Sequence, residues 1–388
     1  MEKYKQLLIK LLLAENIGPV FIYRALSVIA GIADQADVIS FYSRDLAQLE
    51  SALEFIIAAP TSFFISNGLS TSKTIEKIKT SLATVDLQKE LQDISRESVA
   101  VDTCFDDEYP VLLKNIYAPP VILYRQGMAL GSHLNCLSVV GSREASAYGF
   151  SCVDELLTPL VRSGLILVSG GALGIDSSAH RLSVKSNVST VAVMGSGLNF
   201  LYPFGNKTLF KDILSTGGTI ISPFSMSQRP ERGTFPARNR IIAGIAPACL
   251  VIEAGEKSGA LITASYALES GRTVCVVPGS IFSPTSFGCN QLIKQGAAMI
   301  TSSSDLLLEL GIQLDQNSKD PKEVVSSQSD LGQENDLFVF LSKSARSEED
   351  LANFLGKDLA FVQDLLFDLQ LDGKIQQQFT GLWGLPSK

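Results

Sequence analysis

Between residues 137 and 301, seven short apolar runs recur with helix-forming stretches between them, and that rhythm constrains the fold more than any other feature of the chain. The runs are Leu137–Val140, Leu165–Ser169, Thr190–Met194, Thr219–Ser222, Cys249–Glu253, Thr273–Val277 and Ala298–Thr301. Helical patterns occupy Ser146–Val161, Asp176–Val184, Ser258–Glu269 and Cys289–Gln295. Strands that are apolar throughout must be covered on both faces, and parallel neighbours need crossover helices to join them. The pattern therefore predicts an α/β domain: a doubly wound, mostly parallel, extended Rossmann-like sheet. In such sheets ligands bind outside the carboxyl ends of the strands, so the residues that follow each run carry the functional reading.

The flanks differ from this centre. At 388 residues the chain is too long for one core. Residues 1–98 lack strand alternation and read as a small helical domain, SAM-like or helix-hairpin-helix-like. Leu7, Leu8, Leu11 and Leu12 share a face, and Asn16-Ile17-Gly18-Pro19 breaks the first helix before Val20–Ile29. That turn has two readings, a backbone cradle for a phosphate or a plain bend in a helical bundle. The central domain spans 99–312, and the polar, Ser/Gln/Asp-rich stretch 313–333 reads as a linker. Residues 334–388 read as a winged-helix-like domain: Ser347 caps a helix that Gly356 ends, and Leu359, Val362, Leu365, Leu366 and Leu369 stripe the next. A hairpin carrying Phe379 and Trp383 follows. The polar positions of that last helix are Asp358, Gln363, Asp364, Asp368 and Gln370, with no cation to face duplex phosphates. This module is expected to pack or to contact protein rather than to bind duplex DNA.

Composition excludes several classes. Six cysteines lie scattered in apolar segments with no CxxC pair, and only His133 and His180 are available as imidazole ligands. Neither a disulfide framework nor a metal site is expected, and no motif calls for a cofactor. His180, with no serine or cysteine motif beside it, reads as a structural hydrogen-bonding group, and His133 as solvated. The amino terminus is too charged for a signal peptide, and the longest apolar stretch, Ile241–Ile252, is broken by Pro247. A soluble, cytoplasmic protein without membrane contact is the expectation.

The net charge of −8 argues against a basic, nucleic-acid-coating surface. Averages hide local fields, however. Residues 100–312 hold 15 basic and 15 acidic side chains, whereas residues 334–388 hold 5 and 9, so the acidity lies outside the centre. Within the centre, Ser225–Ile245 carries Arg229, Arg232, Arg238 and Arg240 against Glu231 alone. Read as a loop, that segment interleaves cations with Phe235, as binding of a single strand requires: charge follows the backbone and a ring stacks on a base. Along the same edge stand Gly141-Ser142-Arg143 after the first run, Gly170 and Gly171 after the second, Gly195-Ser196-Gly197 after the third and Lys257-Ser258-Gly259 after the fifth. Glycines admit close backbone approach, and helix N-termini offer unpaired N–H groups to anions. No GxGxxG opens the first loop and no GxxxxGK[ST] occurs, so an extended polyanion suits the edge better than one compact nucleotide.

These residues resemble the DNA-processing protein A (DprA/Smf) family. The likeness runs through Val139-Val140-Gly141-Ser142-Arg143, Gly174-Ile175-Asp176 with Ala179-His180, and Tyr202-Pro203 with Asn206. It continues through Phe235-Pro236-Ala237-Arg238-Asn239-Arg240, Ser258-Gly259-Ala260-Leu261-Ile262-Thr263-Ala264, Val277-Pro278-Gly279-Ser280 and Gly288-Cys289-Asn290, covering about residues 102–305. The resemblance implies a non-enzymatic binder of single-stranded DNA that dimerises through the Rossmann-like domain and hands DNA to the RecA recombinase during natural transformation and recombination. It implies that Arg143 and Arg232 hold phosphates, that Arg238 and Arg240 line the groove with Asn239 fixing the loop, and that Phe235 stacks on a base, with Lys257 and Lys294 as further cations. Leu173 and Pro223 depart from the family, which usually has an arginine and an acidic residue there. A rival reading is a nucleotide-cleaving phosphoribohydrolase-type enzyme, but the PGGxGTxxE loop of that group is missing from Glu253-Ala254-Gly255-Glu256-Lys257-Ser258-Gly259-Ala260. A pure protein scaffold would leave the arginine segment unexplained.

Overall fold

The computed structural model describes residues 1–312, 341, 346–355, 362–363, 366, 369–370, 375–377 and 382–384. Two compact units divide at Leu314 and Asp315.

The larger unit is built on one nine-stranded sheet. In chain order its strands are β1 (Ala100–Thr103), β2 (Ile122–Gly127), β3 (Cys136–Gly141), β4 (Ile166–Ser169), β5 (Thr190–Val193), β6 (Thr219–Ser222), β7 (Ala248–Ile252), β8 (Thr273–Val276) and β9 (Ala298–Met299). The spatial order is β1-β2-β6-β5-β4-β3-β7-β8-β9, parallel from β6 to β9. All seven runs anticipated from the sequence are present. The chain winds outward from β3 to β6, then returns to the other side of β3 to lay down β7. The gap between the carboxyl ends of β3 and β7 is therefore the topological switch point, where the crossovers diverge and leave a crevice.

Side-chain alternation divides the core between the two faces. Leu137 and Val139 of β3 join Val153, Leu157 and Ile175 beneath helices Ala147–Arg162 and Ile175–Lys185. Cys136 and Val140 face the other way, into a cluster with Ile241, Ile242 and Ala264 from helices Thr234–Ile245 and Gly259–Glu269. Each strand thus reads as a continuous apolar run although its side chains still point to opposite faces.

Two strands escaped the sequence reading. β1 and β2 pair antiparallel with each other, and β2 pairs antiparallel with β6, extending the sheet at that edge. The pair is held by Arg125, whose guanidinium meets the Asp102 carboxylate at 2.5 Å.

Seven helices precede the sheet, from Lys3–Leu13 to Leu87–Arg96. The expected break is present: Asn16 adopts φ +64°, Gly18 caps the second helix and Pro19 occupies its first turn. Gly18 and Pro19 border a cavity of about 320 Å³ together with Leu12, Ile17 and Ile116. These helices share one hydrophobic cluster with the sheet and bond to it directly: the Tyr23 hydroxyl donates to the Pro119 carbonyl (3.2 Å), and the Met226 N–H to the Glu90 carboxylate (2.8 Å).

In the smaller unit, helix Glu348–Leu355 and the antiparallel pair Gln376–Gln377 with Trp383–Gly384 surround Leu351, Val362, Leu366, Leu369 and Trp383. The acidic positions Asp358, Asp364 and Asp368, the linker 313–333, and with them the complete winged-helix pattern, lie outside the described residues. Among the described residues no single helix is long and apolar enough to cross a membrane. All six cysteines are free, and five of them are buried.

Candidate nucleic-acid interface

Two glycines create the crevice at the switch point. A Cβ on Gly141 would sit 2.0 Å from the Ile252 carbonyl oxygen of β7, and one on Gly174, at φ +76°, would sit 2.1 Å from the Ser142 carbonyl oxygen. Only glycine permits both approaches. Helix Ile175–Lys185 is thereby drawn against the end of β3, with the Ile175 N–H donating to the Ser142 oxygen at 3.1 Å. The opening left above is a cleft of about 660 Å³, bordered by Ser142, Arg143, Asn239, Lys257, Ser258 and Thr285.

The structure brings several predicted residues together here. Arg143 is exposed, with its guanidinium 5.8 Å from the centroid of the half-buried Phe235 ring. The Tyr202 ring lies 6.0 Å from that of Phe235, tilted against it. Across the cleft, exposed Lys257 precedes Ser258, whose hydroxyl caps helix Gly259–Glu269 by accepting from the Ala260 N–H at 3.3 Å. A helix N-terminus, a lysine and an arginine thus converge on one open space, an arrangement suited to an anion. Arg232 stands exposed just ahead of helix Thr234–Ile245.

Other expectations need correction. The arginine-rich segment is not a loop from end to end, because helix Thr234–Ile245 takes up its second half. Residues 238 and 240 are two apart, about 200° around a helix, so they face different spaces: Arg238 lies at the floor of the cleft, whereas Arg240 points away from it. Arg238 turns inward and is only 4% exposed. Its guanidinium donates to the carbonyl oxygens of Gly170 and Val193, and its Nε to Asn239 Oδ1 at 3.1 Å. Burial lowers its pKa to about 10, which leaves it charged at neutral pH. Arg240 borders the cavity beside Gly18 and Pro19, donating to the Tyr117 carbonyl oxygen and lying 5.8 and 6.0 Å from the Tyr117 and Tyr266 rings. Asn239 keeps an anchoring role, although what it anchors is the Arg238 side chain.

Gly170 and Gly171 are internal as well. The Gly170 N–H donates to Asp176 Oδ2 at 3.1 Å and its oxygen accepts from Arg238, so neither group is offered to a ligand. Gly171 packs against Phe210, whose ring a Cβ would meet at 2.7 Å. Lys294 ends helix Phe287–Lys294, which runs back from the carboxyl edge to the start of β9, and it therefore lies at the opposite edge of the sheet.

Below the cleft sits a buried polar layer, of which the sequence reading assigned a role to His180 alone. Glu253, at φ +54° just after β7, accepts from the Ser146 N–H (2.8 Å), the Ser146 hydroxyl (2.5 Å) and the Thr285 hydroxyl (3.2 Å), tying three loops together. Its signal was an acidic residue at the end of an apolar run. Asp176 accepts from the N–H groups of Gly170 and Ala172, and burial raises its pKa despite the neighbouring Arg238. His180 is fully buried. The Thr190 hydroxyl donates to the Leu167 oxygen, so His180 Nδ1 must be the donor in its 2.8 Å bond to Thr190. Burial pushes the imidazole pKa down to about 3, and a neutral, immobile ring is the structural role expected of it. His133 is exposed.

Comparison with known proteins identifies the family and the fold. The sequence model of the family described as DNA recombination-mediator protein A matches residues 100–311. The chain is 40% identical over 223 residues to DNA processing protein DprA of Streptococcus pneumoniae, a match covering 58% of this chain and 77% of that one. It is 41% identical over 204 residues to DprA of Bacillus subtilis (52% and 68%), and 40% identical over 243 residues to Protein Smf of Synechocystis (62% and 61%). Among solved structures, DprA of S. pneumoniae superimposes with a TM-score of 0.63 at 30% identity, over 80% of this chain and 98% of that one. DprA of Helicobacter pylori, described for its single-stranded DNA binding mode, gives 0.50 at 26% identity, over 55% and 97%. By sequence and by fold, the chain belongs to the DNA recombination-mediator protein A family.

Proposed function

We propose that the chain binds single-stranded DNA at the β3/β7 crevice, without catalysing a reaction there, and delivers the strand to a RecA-type recombinase, acting as a homodimer formed through the sheet domain. The observation that carries this reading is the exposed Arg143 guanidinium set over the Phe235 ring, with Lys257 and a helix N-terminus across the cleft. Cation and ring side by side suit one nucleotide of an unpaired strand, with phosphate on the guanidinium and base against the aromatic face. Gly141, Ser142, Arg143, Arg232, Phe235, Asn239, Lys257 and Ser258 make up the proposed surface. Family membership supports DNA as the ligand, and the H. pylori relative supports a single strand.

The test is a salt series of binding to single- and double-stranded oligonucleotides by the wild type and Arg143→Ala. The expected result is a preference for single strands, with a salt slope about 0.7 shallower in the variant. Equal affinities and slopes for the two proteins would overturn the reading. Stimulation of recombinase filament assembly on the same oligonucleotide tests delivery, and a sedimentation series tests the dimer.

A further inference from the structure

We infer that the bound strand leaves the cleft across a strip formed by Tyr202 and Phe204, a second aromatic station with Lys207 as its phosphate partner. This rests on the cleft being the single-strand site and extends that site toward β5. The rings of Phe235, Tyr202 and Phe204 follow one another at centroid separations of 6.0 and 6.1 Å, with Arg143 at the near end of the row. Exposure rises along it: Phe235 is half-buried, Tyr202 41% exposed and Phe204 70% exposed.

A phenylalanine left open to solvent at the end of a ring row contributes little to the core, since the faces that would exclude water are uncovered. Nor is the loop loosely hung. Buried Asn206 donates through Nδ2 to the Gly171 and Ala172 oxygens at 2.9 and 3.3 Å, pinning this loop to the one beneath the cleft. The Ser196 hydroxyl closes its other side on the Phe200 oxygen at 2.7 Å. Both rings are therefore presented from a braced backbone at the carboxyl edge. Exposed Lys207 follows three residues after Phe204 and opens helix Lys207–Ser215, which places a cation at the far end of the row. The order Arg143, Phe235, Tyr202, Phe204, Lys207 sets a row of three rings between two cations, the combination of charge and aromatic surface that suits a single strand, beyond the stretch where the sequence concentrates its arginines.

The experiment compares oligothymidylates of a few nucleotides with ones several times longer, using the full chain and its Phe204→Ala, Phe204→Tyr and Lys207→Ala variants. Phe204→Ala should weaken long oligonucleotides about 5- to 150-fold, leave short ones unchanged and keep the salt slope. Phe204→Tyr should restore wild-type binding. Lys207→Ala should weaken long oligonucleotides and flatten their slope by about 0.7. Unchanged affinity of Phe204→Ala for long strands, including the case in which only a protein contact is lost, overturns the inference, as does equal weakening of short and long strands. If the wild type binds no single strand, the cleft reading falls and takes this one with it. If Arg143→Ala is without effect while Phe204→Ala still weakens long strands, the cleft reading fails and with it a path leading out of the cleft, whereas an effect of Arg143→Ala with none of Phe204→Ala overturns the strip alone.

Discussion

Replacing Arg238 with methionine distinguishes a scaffold cation from a ligand contact. The side chain is buried, spans the end of β5 and the loop after β4, and supplies donors to Gly170, Val193 and Asn239. Methionine fills similar space and donates nothing. Two carbonyl oxygens lose charged donors worth about 1.5–3 kcal/mol each, and Asp176 loses its nearest cation. Leaving both buried oxygens without their charged donors costs about 3–5 kcal/mol. At about 2 °C per kcal/mol for a unit of this size, the melting temperature should fall by about 6–10 °C. Arg143→Ala, at an exposed position, should stay within about 1 °C of wild type while losing DNA affinity. The sign with pH follows from Asp176. Its pKa is already raised by burial, and losing Arg238 raises it further, so the folded variant retains a proton that the unfolded chain releases above about pH 4. Stability of the variant is therefore present at acidic pH and lost as pH rises, and the deficit should be wider at pH 8 than at pH 5. Thermal melts at both pH values, with binding measured well below the transition, make the assay. A variant that melts with the wild type yet binds DNA as poorly as Arg143→Ala would refute the buried role and return Arg238 to the groove.

Gly141→Ala forces a Cβ to within 2.0 Å of the Ile252 oxygen and should cost about 3 kcal/mol, read as a lower denaturation midpoint; a wild-type midpoint would show that β3 and β7 can part there. His180, with its pKa depressed to about 3, gives stability that is present above about pH 6.5 and is lost as pH falls toward 3. Acidification from pH 7 to 5 should remove about 2 kcal/mol that His180→Asn does not lose, and parallel acid profiles would count against this. Arg240→Ala should leave the salt slope of DNA binding untouched while lowering stability by about 1 kcal/mol through its lost ring contacts; a shallower slope would place Arg240 in the groove.

The parallel sheet was legible because strands buried on both faces leave an unbroken apolar signature, and β3 to β9 all carried it. β1 and β2 did not, since polar Asp102 and Arg125 sit at the sheet edge, although Val121–Tyr124 held an apolar run that could have marked one of them. Arg143 and Lys257 stood out as strand-end loop chemistry and Phe235 as the ring within the arginine segment, and the structure sets Arg143 over Phe235 with Lys257 at the same cleft. For Arg238, Arg240, Gly170 and Gly171 the internal partners were not legible, for one physical reason: residue type announces charge or backbone freedom but not direction. Direction depends on the helical turn beginning at Thr234, which Pro236 and the flanking glycine concealed. The glycines after β4 make room for internal partners, Arg238 and Phe210, and nothing in their spacing separates that use from room for a phosphate.

The bond from Met226 to Glu90 bears on where a portable unit can be cut. The family match opens at residue 100, yet ten residues earlier a carboxylate holds the backbone that leads into the arginine segment, and Asn199 reaches back to Asp93 at 3.1 Å. A fragment beginning at residue 100 would keep every proposed DNA contact and lose the bracket beneath one of them. The evolutionary border and the mechanical border of this domain therefore do not coincide, and grafts or truncations designed on the first will disturb the approach to Arg232 before they touch the cleft.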